Sequence, residues 1–200
     1  MGSPCLIKMK NVSRGTVNTD RIKTGAFPGF KSRDRFMNAL KDVTISAEPF
    51  CVLFFRLNTS DVPESFAASS EFSIGRRLLA RLILQMVYQR GNPDDFVAYL
   101  SGPDFAVITT PERADSIGFG TILVFDAELA QRRRNSASRD VRNFQSMSMS
   151  IGVVSSVKMS FSHPFQIVHI GNELVTYVSK FPGNKFIIDR RCAPRTAVGT

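Results

Sequence analysis

The chain has no tryptophan, two histidines and three cysteines in 200 residues, and each shortage closes off a class of chemistry. Cys5, Cys51 and Cys192 are far apart and odd in number, so they offer neither the CxxC spacing of a zinc site nor a disulfide framework. A reducing compartment follows. His163 and His169 stand apart without metal-ligand spacing, which reads as surface or hydrogen-bonded histidine rather than catalysis. No apolar run reaches the roughly 18 residues of a membrane span, and residues 1–18 lack the apolar core of a secretory leader, so the expected location is the cytoplasm. Acidic residues are also scarce, 17 against 26 basic ones. The resulting net charge of +9 favours anionic partners without naming one.

What remains is apolar and phenylalanine-rich. Hydrophobic residues make up 43% of the chain, with 17 Phe against three Tyr, a composition suited to core packing rather than a base-stacking platform. A chain of this length buries roughly 70% of its unfolded surface, enough for one domain.

Along the chain, residues 1–19 carry Lys8, Lys10 and Arg14 without apolar periodicity and read as a basic arm. Residues 20–190 form the expected domain, and 191–200 a tail. Ser32 is a plausible cap for a helix over 32–40 with Phe36, Ala39 and Leu40 on one face. The continuous apolar run at 50–55 marks a strand buried on both faces. A long amphipathic helix follows at 74–89, with Leu78, Leu79, Leu82, Ile83 and Met86 in one stripe. Two strand-like runs, 96–100 and 105–109, flank a turn at Ser101-Gly102-Pro103-Asp104. Pro111 opens a second long helix, expected to end near Gln131. Arg132, Arg133, Arg134, Arg139 and Arg142 then read as a solvated basic loop. A strand at 148–154, a helix at 164–180 and a strand at 185–188 complete the order α-β-α-β-β-α-β-α-β. Tyr177 in that last helix reads as core packing.

This order, with its local words, resembles the GGDEF domain of diguanylate cyclases. Asp20-Arg21-Ile22 with Ser32-Arg33-Asp34-Arg35-Phe36 is similar to the family's opening DxLTGLxNRRxF, with extra residues between. Val52-Leu53-Phe54-Phe55-Arg56-Leu57-Asn58 resembles the strand that ends in DxD. The stretch from Asp95 to Val107, with Ser101-Gly102-Pro103-Asp104-Phe105 at its centre, resembles DxVARxGGDEFAV. Ser150-Ile151-Gly152-Val153 matches SIGV, and Tyr177-Val178-Ser179-Lys180 with Gly183-Asn184 resembles YxAKxxGRN. The resemblance implies an α/β (α+β) fold of the nucleotidyl-cyclase type. Its mainly antiparallel sheet would have a ferredoxin-like βααββαβ core flanked by helices.

The family's chemistry joins two GTP molecules by phosphoryl transfer, with divalent metal neutralising charge. Magnesium needs carboxylate and phosphate oxygens. Here the two DxD positions are Arg56 and Asn58, and the metal-binding acid of the hairpin is Pro103. A guanidinium about 4 Å from a divalent ion costs several kcal/mol even at an effective dielectric near 20. Asp104 is the one carboxylate kept. The hairpin's main chain has changed as well, because Ser101 adds a side chain and Pro103 removes an N–H donor. Of the family's inhibitory RxxD, matched by Asn92-Pro93-Asp94-Asp95, only Asp95 survives.

No catalytic residue, metal ligand or cofactor is therefore expected. The resemblance implies an inactive GGDEF-like regulatory or protein-interaction module, in cyclic di-GMP signalling or a machine it controls, with a protein partner and room for a homodimer. The first alternative is a metal-free receptor for a nucleotide or cyclic di-GMP, with Arg56, Arg76 and Lys180 binding phosphates. The second is nucleic-acid binding through the basic arm and the arginines at 132–142.

Overall fold

The computed structural model describes residues 27–46, 48–59, 70–135 and 147–191. The basic arm, most of the tail, Arg139 and Arg142 lie outside them. The described elements follow the expected order.

Helix α1 (Arg33–Ile45) starts where Ser32 accepts a hydrogen bond from the Arg35 amide, and it buries Phe36 and Leu40. Strand β1 (Cys51–Thr59) comes next, then helix α2 (Ser70–Arg90), strands β2 (Phe96–Ser101) and β3 (Asp104–Thr109), and helix α3 (Pro111–Asn135). Strand β4 (Met147–Ser155), helix α4 (Pro164–Val178) and strand β5 (Lys185–Ile188) complete the domain. The sheet runs β2-β3-β1-β4-β5, antiparallel except for the parallel β4–β5 pair. The apolar run at 50–55 thus lies in the middle strand, as its lack of alternation requires.

Alternation along β1 assigns its side chains to two cores. Leu53, Phe55 and Leu57 meet α2 and α3 on one face, in a cluster with Phe105, Val107, Ile117 and Phe125. Val52 and Phe54 meet α1 and α4 on the other, with Phe36, Leu40, Ile167 and Val175. Most phenylalanines fill these two layers. Arg56 and Asn58 continue the α1/α4 face of β1 beyond its apolar part, which places them at one end of the sheet.

Four sequence expectations need correction. The turn is two residues long, Gly102 and Pro103, because Ser101 and Asp104 pair with each other across the hairpin. Gly102 takes φ +49°, the left-handed conformation that favours glycine. Arg132, Arg133 and Arg134 belong to α3 rather than to a loop; arginine is a good helix former, and Glu128 sits one turn before Arg132 to pair with it. The last helix stops at Val178, so Lys180 lies outside it. Tyr177 is exposed, its ring edge-on to Phe181, since the buried stripe of α4 passes through Ile167, Gly171, Val175 and Val178.

Both histidines are on the surface. His163 caps α4, its Nδ1 accepting from the Phe165 amide while its own amide donates to Gln166 Oε1. His169 faces Glu173 one turn along. No described helix is long and apolar enough to cross a membrane.

Candidate functional site

The β1 register places Arg56 directly opposite Asp104 on β3. Their side chains form a two-pronged ion pair. Arg56 Nε donates to Asp104 Oδ1 at 2.7 Å and Nη2 donates to Oδ2 at 3.0 Å. A third donor, Nη1, reaches Thr176 Oγ1 on α4 at 3.1 Å. Both side chains of the pair are about three-quarters or more shielded, at 24% and 20% exposure. The planar guanidinium suits this arrangement because it matches a carboxylate with two parallel bonds.

Asn58, at the second DxD-like position, is bound into the neighbouring strand. Its Nδ2 donates to Ser150 Oγ at 2.8 Å and Ser148 Oγ at 3.4 Å. Pro103 has no N–H, but its carbonyl accepts from the Leu57 amide at 3.2 Å and keeps the turn stitched to β1. The three positions where the resemblance expects carboxylates therefore carry a cation, a committed amide and a proline. The remaining acid has both oxygens occupied by Arg56. Among the described residues, no three His, Cys, Asp or Glu side chains converge as a metal site would need. These residues do not fit a divalent metal.

Arg76 reaches the same hairpin from the opposite face. Its Nη1 donates to the Gly102 carbonyl at 3.3 Å, its Nη2 to Ser73 Oγ at 3.4 Å, and its guanidinium lies 5.2 Å from the centre of the Phe72 ring. The two arginines thus hold the turn between them, Arg56 through the Asp104 side chain and Arg76 through the backbone. Lys180 is exposed beyond α4, its backbone amide donating to the Tyr177 carbonyl at 3.3 Å. Asp95 folds back on its own turn, Oδ2 accepting from the Asn92 amide at 2.9 Å, a local bond that shapes the α2–β2 connection.

A pocket of about 270 Å³ opens beside Arg56, between α1, α4 and the hairpin. Arg33, Phe36, Asp104, Val168 and Asn172 are in its wall. It falls below the roughly 300–1,000 Å³ usual for small-molecule sites. Thr176 and Asn172 were not singled out in the sequence, and Arg33 entered there only within the family's opening motif. The available signal was the i, i+4 spacing of Asn172 and Thr176, which puts two polar groups on one edge of α4.

Because Arg56 and Asp104 are partly buried and paired in two places, their coupling should exceed the few tenths of a kcal/mol of an exposed pair. In a double-mutant cycle of Arg56→Ala and Asp104→Ala by urea unfolding, a coupling of about 1–2 kcal/mol is expected. A value near zero would show that the pair contributes nothing to holding the hairpin.

No family model matches the sequence, and no curated protein matches it. Solved structures do. The GGDEF domain of DgcB from Caulobacter crescentus, determined in complex with c-di-GMP, is 16% identical with a TM-score of 0.64, over 86% of this chain and 98% of that one. The active GGEEF domain of a diguanylate cyclase from Vibrio cholerae is 14% identical with a TM-score of 0.55, over 80% and 94%. The FimX GGDEF domain from Pseudomonas aeruginosa is 17% identical with a TM-score of 0.53, over 80% and 95%. With its five-stranded, mainly antiparallel sheet between two helical layers, the chain has the fold of the GGDEF domain.

Proposed function

We propose that this protein is a GGDEF-fold domain that does not make cyclic di-GMP and serves as a regulatory or protein-binding module in signalling by that nucleotide. The observation carrying the reading is the Arg56–Asp104 pair, a fixed positive charge bonded to the one remaining carboxylate of the hairpin. In a diguanylate cyclase that region gathers acids around metal and phosphate. Here the guanidinium supplies the charge that a metal would bring, but its donors are directed at Asp104 and Thr176 rather than at an open position. The hairpin survives as a braced turn. Signalling by cyclic di-GMP enters through likeness alone, since the DgcB domain with this fold was determined in complex with it.

The test is incubation of the purified protein with GTP and Mg²⁺, followed by chromatography for cyclic di-GMP. No product above a buffer control is expected. Product that co-purifies with the protein and disappears in an Asp104→Ala variant would overturn the reading. Calorimetry with GTP and cyclic di-GMP separates the remaining possibilities: a flat titration fits a protein-binding module, whereas heat abolished by Arg56→Ala assigns the metal-free receptor role to Arg56, Arg76 and Lys180.

A further inference from the structure

Helix α3 covers the α2/α3 core with one side and leaves an unusual stripe on the other. Phe119 and Leu123 are 51% and 68% exposed, large apolar groups one turn apart on the outer surface. Ala127 continues the stripe one turn further and is exposed. At the ends lie two charges of opposite sign, Glu112 in the first turn and Arg134 near the C-terminus, both exposed. At 100° per residue, Glu112, Phe119, Leu123, Ala127 and Arg134 all fall within a narrow outward sector, the width of a helix-packing seam.

The order of these residues reads the same way under a two-fold rotation through Leu123. Positions 112 and 134 are equally distant from 123, and so are 119 and 127. In an antiparallel pair of α3 helices, Leu123 meets the partner's Leu123. Each Phe119 then faces a small Ala127, a large residue into a gap, which is what ridges-into-grooves packing at 8–10 Å requires. Each Glu112 faces an Arg134 across the seam. The acidic end of one helix lies on the basic end of the other, so the macrodipoles also run head to tail. The parallel arrangement would instead set Phe119 against Phe119 and Arg134 against Arg134. Phe186 of β5 widens the patch, its ring 4.3 Å from that of Phe119 and packed over Gly118.

From this self-complementarity we propose that the occupant of the α3 face is a second copy of this chain, in an isologous antiparallel dimer centred on Leu123. Such a two-fold contact uses one patch twice, so it closes as a dimer rather than growing into a filament. It lies on the helical layer opposite Arg56 and leaves the α1/α4 side of the hairpin accessible to another partner. The proposal does not depend on whether the hairpin is catalytic. A single helix pair widened by one aromatic ring is a small interface, at the low end for specific association, so micromolar affinity is expected.

Sedimentation equilibrium of the full chain between about 1 and 300 µM should show a reversible monomer–dimer equilibrium. Leu123→Glu, an exposed position taking a good helix former, should keep the wild-type melting temperature and weaken the dimer at least about 30-fold. Arg134→Glu alone sets like charges opposite one another and should weaken it several-fold at low salt. Adding Glu112→Arg to Arg134→Glu should recover most of that loss, which no role inside a single copy explains. A monomer at every concentration overturns the proposal, as does a dimer indifferent to Leu123→Glu. A charge-swapped double variant weaker than Arg134→Glu alone would also reject the antiparallel register.

Discussion

Phe105→Ala should cost about 3–5 kcal/mol of folding stability, read as a fall in the urea midpoint with little change in slope. Phe105 is fully buried, and three rings surround it: Phe27 and Phe30, each with its centroid at 5.2 Å, and Tyr99 at 5.4 Å. Its cross-strand neighbours are Phe55 on β1 and Tyr99 on β2. The side chain therefore ties the hairpin to the middle strand and to the segment that leads into α1. Truncation removes contacts on all of these sides, and the rings, held by separate backbones, collapse into the space only in part. Phe105→Leu keeps most of the volume and should cost less than about 1.5 kcal/mol. A loss below that value for alanine would mean that the cluster repacks freely.

The contrast with the turn just before it is informative. Residues 101–104 are held by polar bonds instead, Asp104 to Arg56, the Gly102 carbonyl to Arg76 and the Tyr99 hydroxyl, and the Pro103 carbonyl to the Leu57 amide. Phe105 preserves the hairpin as architecture whether or not the turn does chemistry. This is why the hairpin was legible in the sequence although its polar letters had changed.

Strand β1 was legible for a similar physical reason. A run without alternation has to be buried on both faces, a condition that interior strands meet where helices cover both sides of the sheet, as they do here for β1, β3 and β4. What stayed hidden was the pairing of Arg56 with Asp104, which lie 48 residues apart and become partners only when the register is set. That register belongs to β1 and β3, which α2 and β2 separate along the chain, so no local turn announces it. Arg132 shows the opposite case: Glu128 four residues earlier was a helix signal outweighed by a reading of charge density. Tyr177 lies one residue off the buried stripe of α4, a phase that its aromatic character does not reveal. The α3 stripe was hidden because its period is visible only once the other side of the helix is known to be covered.

Gly171 is the position where the sequence said least and the structure demands most. Inside a helical pattern a glycine reads as a weak point, yet here it is a contact: a Cβ at Gly171 would collide with two carbons of the Phe54 ring. Phe54 has no room to retreat, because it is 3% exposed and stands edge-on against Phe36 with ring centres 6.1 Å apart. Adding a side chain must therefore lift α4 from the sheet. Alanine gains up to about 1 kcal/mol in a helix interior relative to glycine. Overpacking of this kind costs about 1–3 kcal/mol. The clash should win for Gly171→Ala by about 1 kcal/mol, and Gly171→Leu should lose about 3 kcal/mol or more. Phe54→Leu shortens the opposing ring, so combining it with Gly171→Ala should give a favourable coupling of about 1 kcal/mol in a double-mutant cycle. The consequence reaches the site, since α4 also carries Thr176, the third partner of Arg56. Lifting the helix should weaken the coupling between Arg56 and Thr176, measured with Arg56→Ala and Thr176→Val, while the coupling between Arg56 and Asp104 persists because β1 and β3 carry it. If both couplings fall together in Gly171→Ala, the ion pair depends on the helix above it and the hairpin is not braced by its own strands.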